Sequence, residues 1–192
     1  MPVTVAIIGA GPLGRWLALS AARAGFPVLL EDVMPANLHH AQEAIRAVLG
    51  PDAFRENAGA APNVAFVSTI EEAVRNADLV IDCVPDELES KLEILWLLDR
   101  MAPPRTVLAT PTTRLSIADL ANCTYRPAKC IAIAAEASTL TGKTEAAGTS
   151  PEILLRTTPQ TAPETIALLD HFWRQLGFAP IFAPDPAGQP SI

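Results

Sequence analysis

Short apolar segments alternate with longer amphipathic segments along most of this chain of 192 residues. A continuous apolar run of about four to eight residues is typical of a strand that is covered on both faces. Such runs predict strands over residues 3–8, 27–32, 63–68, 77–84, 105–110 and 129–135, with two further candidates at 151–157 and 179–183.

The segments between these strands show helical periodicity and helix-ending residues. They predict helices over residues 12–24, 37–49, 70–76, 87–101, 116–122 and 163–176. Strands that alternate with helices at short spacing indicate βαβ units. We therefore expect an α/β fold with a doubly wound, mostly parallel sheet and helices on both faces. Residues 138–150 show no clear period and are the best candidate for a loop.

The turn after the first strand has the sequence GAGPLG at residues 9–14. In this spacing Gly9 permits a tight turn, Gly11 lets the backbone approach a pyrophosphate, and Gly14 permits close packing of the helix on the strand. The helix that follows offers N–H groups and the positive end of its dipole to phosphates. Pro12 removes one donor where proline is tolerated. These three glycines, with Pro12 and Leu13, are predicted to bind a dinucleotide in a Rossmann-type domain.

The second strand ends in two acidic residues, Glu31 and Asp32. A carboxylate at this place accepts hydrogen bonds from the adenosine ribose and repels the 2′-phosphate of NADP. Asp32 is the predicted acceptor, and strand alternation points the competing acid Glu31 to the other face. No Arg or Lys occurs between Gly25 and Gln42 to receive a 2′-phosphate. The predicted cofactor is therefore NAD, bound as NAD(H).

Composition and charge exclude several other classes. The formal net charge is −7 and the basic residues form no cluster, which argues against nucleic acid or an anionic membrane surface as a partner. No apolar run approaches the roughly 20 residues of a membrane span, and the first strand begins too early for a signal peptide. Three cysteines without CxxC spacing favour reduced thiols. We expect a cytoplasmic protein with a single domain over 1–192, in which 183–192 form a tail.

The three histidines do not suggest a metal site. His39 and His40 are adjacent on a predicted helix and so point about 100° apart, which is poor geometry for a shared ion. His171 lies in an amphipathic helix and is expected to be a surface or packing residue. No metal is predicted.

With these residues placed, the chain resembles the NAD-binding domain of the 3-hydroxyacyl-CoA dehydrogenases over about residues 3–183. The similar stretches are VAIIGAGPLGRWLALSAARAGFPVLLEDV, NADLVIDCVPDELESKLEILWLLD, TVLATPTTRLSIADL and TPQTAPETIALLDHFWRQLGFAPI. The resemblance implies that Asp86 and Lys91 approach the nicotinamide half of the cofactor. It also implies that Thr113 takes the position of a serine that holds the substrate.

The same resemblance implies that the family's catalytic base is missing. In the family a histidine takes the proton of the 3-hydroxyl, a glutamate orients the histidine, and an asparagine holds the substrate. In CIAIAAEAS the histidine position is Ala134 and the asparagine position is Ala137. The nearest carboxylate to the glutamate position is Glu152, and Glu136 is a further acid in the loop. Thr113 and Glu152 are the candidate catalytic residues, but nothing replaces the lost histidine.

Two further departures from the family concern the acyl substrate. The family carries lysines suited to CoA phosphates after the second strand, whereas residues 33–63 hold two arginines and three acidic residues. The family also continues into a helical domain that completes the acyl site and forms the dimer, at the point where this sequence ends. We expect ordinary 3-hydroxyacyl-CoA to be a poor substrate.

Two hypotheses remain open. The chain is a divergent oxidoreductase for an unidentified small molecule, or it is a non-catalytic NAD-binding module or partner subunit. A homodimer is also predicted, because helix 87–101 carries more apolar surface than one sheet covers. Its two stripes are Leu88, Leu92 and Leu95, and Ile94, Leu97, Leu98 and Met101. The alternative is that both stripes are buried within the domain.

Overall fold

The computed structural model describes residues 2–50, 64–135, 140 and 150–186. In these ranges the strands are β1 Val5–Ile8, β2 Val28–Glu31, β3 Val64–Val67, β4 Leu79–Asp82, β5 Val107–Pro111, β6 Cys130–Ile133, β7 Glu152–Thr157 and β8 Ala179–Pro184. The α-helices are α1 Pro12–Arg23, α2 Pro35–Leu49, α3 Ile70–Val74, α4 Leu88–Met101, α5 Ile117–Asn122 and α6 Pro163–Gln175.

The eight strands form one sheet in the order β3-β2-β1-β4-β5-β6-β7-β8. Neighbouring strands are parallel except β6 and β7, which are antiparallel. The chain moves outward from β1 through β2 and β3, then returns to pair β4 with the other edge of β1. The predicted α/β class, a doubly wound and mostly parallel sheet with helices on both faces, is confirmed.

The core has two layers, one on each face of the sheet. Val5 and Ile7 of β1 point to the face covered by α1, α2 and α6. Ala6 and Ile8 point to the face covered by α3, α4 and α5. Every residue of β1 is buried, because both faces of the strand are covered. This is the reason for the continuous apolar runs in the sequence.

The limits of several elements differ slightly from the sequence expectation. Helix α2 begins at Pro35, where proline fits the first helical position after the N-cap residue Met34. The expected last strand over 179–183 extends by one residue, because Pro184, expected in the tail, is the last residue of β8. The expected loop over 138–150 lies outside the described residues apart from its positions 140 and 150. None of the helices in the described ranges is both long and apolar enough to cross a membrane.

Helix α4 buries only part of its apolar surface. Ile94, Leu95 and Leu98 pack against the sheet, so the two expected stripes both contribute to one buried face. Leu88 and Met101 are exposed, as is Trp96, which lies outside both expected stripes. The homodimer stays a prediction.

Candidate functional site

A cleft lies at the carboxyl edge of the sheet, where β1 and β4 are neighbours. Helix α1 packs on one face of the sheet and α4 on the other, so the loops after β1 and β4 diverge and leave a crevice. The cleft has a volume of about 520 Å³. It is lined by residues 11–13 of the glycine turn, 83–86 after β4, 111–114 around the end of β5, and Ala135 after β6.

The glycine turn has the geometry that its spacing predicts. Gly9 has a φ of 102°, in the region that favours glycine. A Cβ at Gly14 would lie 1.8 Å from the carbonyl oxygen of Gly9, so the helix can approach the strand only without a side chain there. A Cβ at Gly11 would instead meet no atom of a described, non-adjacent residue within 4 Å. The space beside Gly11 is therefore open on the cleft side.

The first turn of α1 faces the cleft with free donor capacity. Gly11 is the N-cap and Pro12 the first helical residue, and the first turn contains no acidic side chain. The N–H groups of Leu13 and Gly14 have no acceptor within the helix, since the first intrahelical bond runs from the N–H of Arg15 to the carbonyl of Gly11 at 3.0 Å. Open space beside Gly11 and these amides suit a pyrophosphate, so the residues present fit a dinucleotide.

The carboxylate of Asp32 lies behind the glycine turn. Its Oδ2 accepts a hydrogen bond from the N–H of Ala10 at 2.8 Å, and its Oδ1 accepts one from the N–H of Met34 at 2.8 Å. The side-chain amide of Asn37 lies 3.1 Å from both oxygens. Asp32 therefore ties the turn to the end of β2, a structural function that the sequence did not reveal. Its contact with a ribose stays a prediction.

Glu31, the competing acid, is buried at the end of β2. Strand alternation places it on the face of Leu29, opposite to Leu30. Burial and, to a lesser extent, the charge of Asp32 raise the pKa of Glu31 to about 7. Near neutral pH this carboxyl therefore carries less negative charge than the sequence suggests.

Asp86 and Thr113 meet across the cleft. The N–H of Thr113 donates to Oδ2 of Asp86 at 3.2 Å, which joins the loop after β4 to the loop after β5. The other oxygen, Oδ1, is buried and has no hydrogen-bond partner in the described structure. Among the described residues, this oxygen of Asp86 is therefore an acceptor without a donor. Both residues were singled out from the sequence, and the structure brings them together.

Lys91 does not line the cleft. It is fully buried, and its ammonium donates to Oδ1 of Asp82 at 2.6 Å. Burial raises the pKa of Asp82, and the charge of Lys91 opposes that shift. The sequence analysis missed Asp82, although an acid at the end of an apolar run is a signal for a buried partner. Lys91 is thus not in contact with the cleft, and its expected approach to the nicotinamide half of the cofactor stays a prediction.

Cys83 is the thiol on the wall of the cleft. Burial raises the pKa of this thiol far above its ordinary value, and the charge of Asp82 adds to the rise. Since the thiolate is the nucleophilic form, Cys83 stays neutral and unreactive near neutral pH. The main chain and Cβ of Cys83 lie beside Gly9, 3.3 to 3.5 Å from the place that a Cβ on this glycine would take.

The end of β6 carries small side chains. Ala134 donates its N–H to the carbonyl of Leu154 at 2.8 Å, and Ala135 lines the cleft. Glu136 and Ala137 lie outside the described residues. Glu152 is exposed on β7 and is not part of the lining, so the structure does not bring it together with Thr113. His39 and His40 on α2 and His171 on α6 also lie away from the lining.

Sequence reasoning also missed Arg114. It follows Thr113 directly and lines the cleft, and its Nη2 donates to the main-chain oxygen of Asp86 at 2.8 Å. The signal was available as a cation next to a residue already selected. The position of Arg114 in the cleft depends on its contact with Asp86 in the loop after β4, and only the fold brings that loop close to Arg114.

The fold, the glycine turn and the position of the cleft define a Rossmann-type dinucleotide-binding domain. Residues 4–134 match the family described as "3-hydroxyacyl-CoA dehydrogenase, NAD binding domain". The chain belongs to this family, and its cofactor is NAD. The family and the cofactor expected from the sequence are confirmed.

Similar proteins are dehydrogenases of greater length. The Bacillus subtilis (strain 168) protein named "Probable 3-hydroxybutyryl-CoA dehydrogenase" is 33% identical over 133 residues, which cover 66% of this chain and 46% of that protein. The 5-formyl-3-hydroxy-2-methylpyridine 4-carboxylate 5-dehydrogenase of Mesorhizobium japonicum is 27% identical over 180 residues, which cover 92% and 56%. The crystal structure of 3-hydroxybutyryl-CoA dehydrogenase from Escherichia coli K12 has a TM-score of 0.79 at 26% identity, covering 96% of this chain and 39% of that one. The chain spans about half the length of these curated relatives.

Proposed function

We propose that this chain binds NAD(H) as part of a divergent oxidoreductase of the 3-hydroxyacyl-CoA dehydrogenase type that works without the family's histidine base. The observation that carries the proposal is the end of β6, where Ala134 follows the strand and the next residue, Ala135, lines the cleft. A methyl side chain neither accepts a proton nor orients a carbonyl. All three histidines of the chain lie on α2 and α6, outside the lining.

The residues proposed to hold the cofactor come from three loops. Gly9, Gly11 and Gly14 shape the turn, and the amides of Leu13 and Gly14 face the pyrophosphate beside Pro12. Asp32 is proposed for the adenosine ribose. Asp86, with its unpaired Oδ1, is proposed for the second ribose, because a buried acceptor requires a donor. When bound, NAD supplies the acceptor for a hydride.

The groups left for proton chemistry are weak. The hydroxyl of Thr113 is proposed to polarise a substrate carbonyl. Glu152, the other candidate, is exposed on β7 outside the lining of the cleft and is assigned no contact with the substrate. Cys83 is held neutral by burial. Since a positioned base contributes about 10²- to 10⁴-fold to such a reaction, oxidation of ordinary 3-hydroxyacyl-CoA is expected to be slow. The relative from Mesorhizobium japonicum is named for a pyridine carboxylate, which supports a substrate other than a CoA thioester.

The test is consumption of NADH with acetoacetyl-CoA. We expect the unchanged chain to bind NADH and to turn over this substrate hardly at all. The double variant Ala134→His with Ala137→Asn restores the family's residues and is the matched comparison. Rapid turnover by the unchanged chain would show that a base exists elsewhere and would overturn the proposal.

A second candidate is a non-catalytic NAD-binding module or partner subunit. The same small side chains at the end of β6 favour it, because binding NAD needs the glycine turn and Asp32 but no base. Tight NADH binding without turnover of any 3-oxo compound would select this candidate. Turnover of one such compound would select the oxidoreductase.

Location and assembly belong to the same proposal. The free thiols of Cys83, Cys123 and Cys130 support a cytoplasmic protein, where thiols stay reduced. The exposed residues Leu88, Trp96 and Met101 on α4 support a homodimer.

A further inference from the structure

Arg114 is the cationic residue in the lining of the cleft among the residues that the structure describes. The lining contains one arginine and no lysine or histidine. Lys91, the cation that the resemblance places near the cofactor, is buried in its ion pair with Asp82. Arg156 of β7 lies close by, with its Nη1 3.5 Å from the main-chain oxygen of Thr113, but it is not part of the lining. Arg114 is therefore the cation of the lining that a negatively charged molecule in the cleft can contact.

The guanidinium of Arg114 is oriented by one hydrogen bond and keeps other N–H donors available. Its Nη2 donates to the main-chain oxygen of Asp86 at 2.8 Å, while the main-chain N–H of Arg114 donates to Oγ1 of Thr112 at 3.4 Å. One of the five N–H donors of the guanidinium is thus engaged with a described residue, and 73% of the side chain is exposed. The anchor orients the planar group at the mouth of the cleft and leaves donors free.

Asp86 does not neutralise this cation fully. Nε of Arg114 lies 4.0 Å from Oδ2 of Asp86, which is too far for a hydrogen bond, and that oxygen already accepts from Thr113. The carboxylate of Asp86 therefore does not accept two parallel N–H groups from Arg114, which is the paired geometry of an arginine with a carboxylate. It is the arrangement for which arginine, rather than lysine, is suited.

The position of Arg114 separates it from the pyrophosphate. The glycine turn follows β1, whereas Arg114 follows β5, and β4 lies between these two strands. Two strand spacings of about 4.8 Å place the two loops about 10 Å apart at the edge of the sheet. Arg114 instead shares the lining with Thr113 and Ala135, where the substrate is expected.

We propose that the substrate is a small hydroxy or oxo acid whose free carboxylate binds Arg114. This inference rests on the proposed function, since it names the substrate class of the same site. The cleft of about 520 Å³ includes the glycine turn and so has to hold part of NAD as well, which leaves room for a small substrate. Residues 33–63, where the family carries lysines suited to CoA phosphates, hold only two arginines against three acidic residues.

The experiment is calorimetric titration of the protein saturated with NAD⁺, in which an oxo acid binds without being reduced. The probes are acetoacetate, its neutral methyl ester and acetoacetyl-CoA. We expect acetoacetate to bind more tightly than the ester. Arg114→Gln should weaken acetoacetate by roughly 10- to 100-fold and leave the ester unchanged. Arg114→Lys should bind acetoacetate with an affinity between those of the unchanged protein and Arg114→Gln, because lysine keeps the positive charge but lacks the planar guanidinium.

Arg105→Gln is the matched control. Arg105 is 59% exposed and also pairs with one aspartate, Asp78 at 3.0 Å, but it lies at the opposite edge of the sheet. Its removal should change none of the three affinities. The midpoint of thermal unfolding should be the same in Arg114→Gln and Arg105→Gln as in the unchanged chain, which shows that both variants fold.

The possible failures are distinguishable. If NAD⁺ binds and Arg114→Gln leaves the affinity for acetoacetate unchanged, the inference is wrong while the proposed function stands. If the variant weakens acetoacetyl-CoA alone, Arg114 binds a phosphate of the carrier and the inference is also wrong. If NAD⁺ does not bind to the unchanged protein, the proposed function fails, and the inference fails with it.

Discussion

The side-chain amide of Asn37 lies 3.1 Å from both carboxylate oxygens of Asp32. With the N–H groups of Ala10 and Met34, it brings four donor contacts to this carboxylate. A carboxylate has about four lone-pair positions. A ribose that is to bind Asp32 must therefore displace Asn37 or share an oxygen with it.

Asn37→Ala is expected to bind NAD more tightly than the unchanged chain. Removing a competing neutral donor should strengthen the ribose contact by about 2- to 10-fold, the equivalent of one ordinary hydrogen bond. Calorimetry with NAD measures the change. Weaker binding by the variant would show that Asn37 instead holds Asp32 in its binding position.

Asp32 is expected to discriminate NAD from NADP. Calorimetric titration of the unchanged protein should give clearly tighter binding of NAD, because the 2′-phosphate of NADP meets a negative carboxylate. Asp32→Ala should reduce the difference between the affinities for NAD and NADP. Asp32→Asn is the matched variant, since it removes the charge and keeps an oxygen for the N–H of Ala10. Equal affinities for the two cofactors in the unchanged protein would contradict the assignment.

Glu31 is expected to make stability fall as pH rises. Its pKa is raised from 4.5 to about 7 on folding, so the folded state binds more protons than the unfolded state between these values. Its stabilising effect is complete below pH 4.5 and is lost as pH rises through 7. Urea unfolding at pH 5 and pH 8 should show a loss of about 1 to 3 kcal/mol.

Glu31→Gln should remove this part of the pH dependence. The matched control is Glu164→Gln on the surface of α6, which should leave the dependence in place. The same slope in Glu31→Gln as in the unchanged chain would assign the effect to other groups.

The pair of Asp82 and Lys91 is expected to be intolerant of single changes. Lys91→Met leaves a buried carboxylate without its partner and should lower the free energy of unfolding by about 3 to 5 kcal/mol. The double variant Asp82→Leu with Lys91→Met should recover most of the loss. Arg174→Met, which breaks the exposed pair with Asp170, is the control and should have little effect.

The double variant also tests the expected contact of Lys91 with NAD. If the ammonium reaches the nicotinamide half of the cofactor, the folded double variant should bind NAD more weakly. An unchanged affinity would limit Lys91 to a structural function.

A homodimer is expected in solution. Light scattering should give twice the 20.3 kDa of one chain, and Trp96→Glu on the exposed face of α4 should give the monomer. Val48→Glu, at an exposed apolar position of α2, is the matched control and should stay dimeric. A monomer at high concentration in the unchanged protein would contradict the prediction.

The sequence by itself determined the fold class and the glycine turn. Continuous apolar runs mark strands such as β1 because a strand covered on both faces has no polar side. The spacing of Gly9, Gly11 and Gly14 sets a backbone geometry within six residues, so neighbours along the chain suffice to specify it. The acid at position 32 follows from the same local register.

Only the tertiary structure decided which charged groups remain available. Lys91 looks in the sequence like a residue on the cofactor side, but the packing of α4 against the sheet buries it on Asp82. The side-chain amide of Asn37 donates to the carboxylate of Asp32. The main-chain oxygen of Asp86, in the loop after β4, accepts a hydrogen bond from Arg114 and so orients its guanidinium at the mouth of the cleft. The physical reason is that burial by other elements removes water from a side chain, and this changes both its charge state and the hydrogen bonds that it can form. Those elements come together only through the crossovers of the sheet.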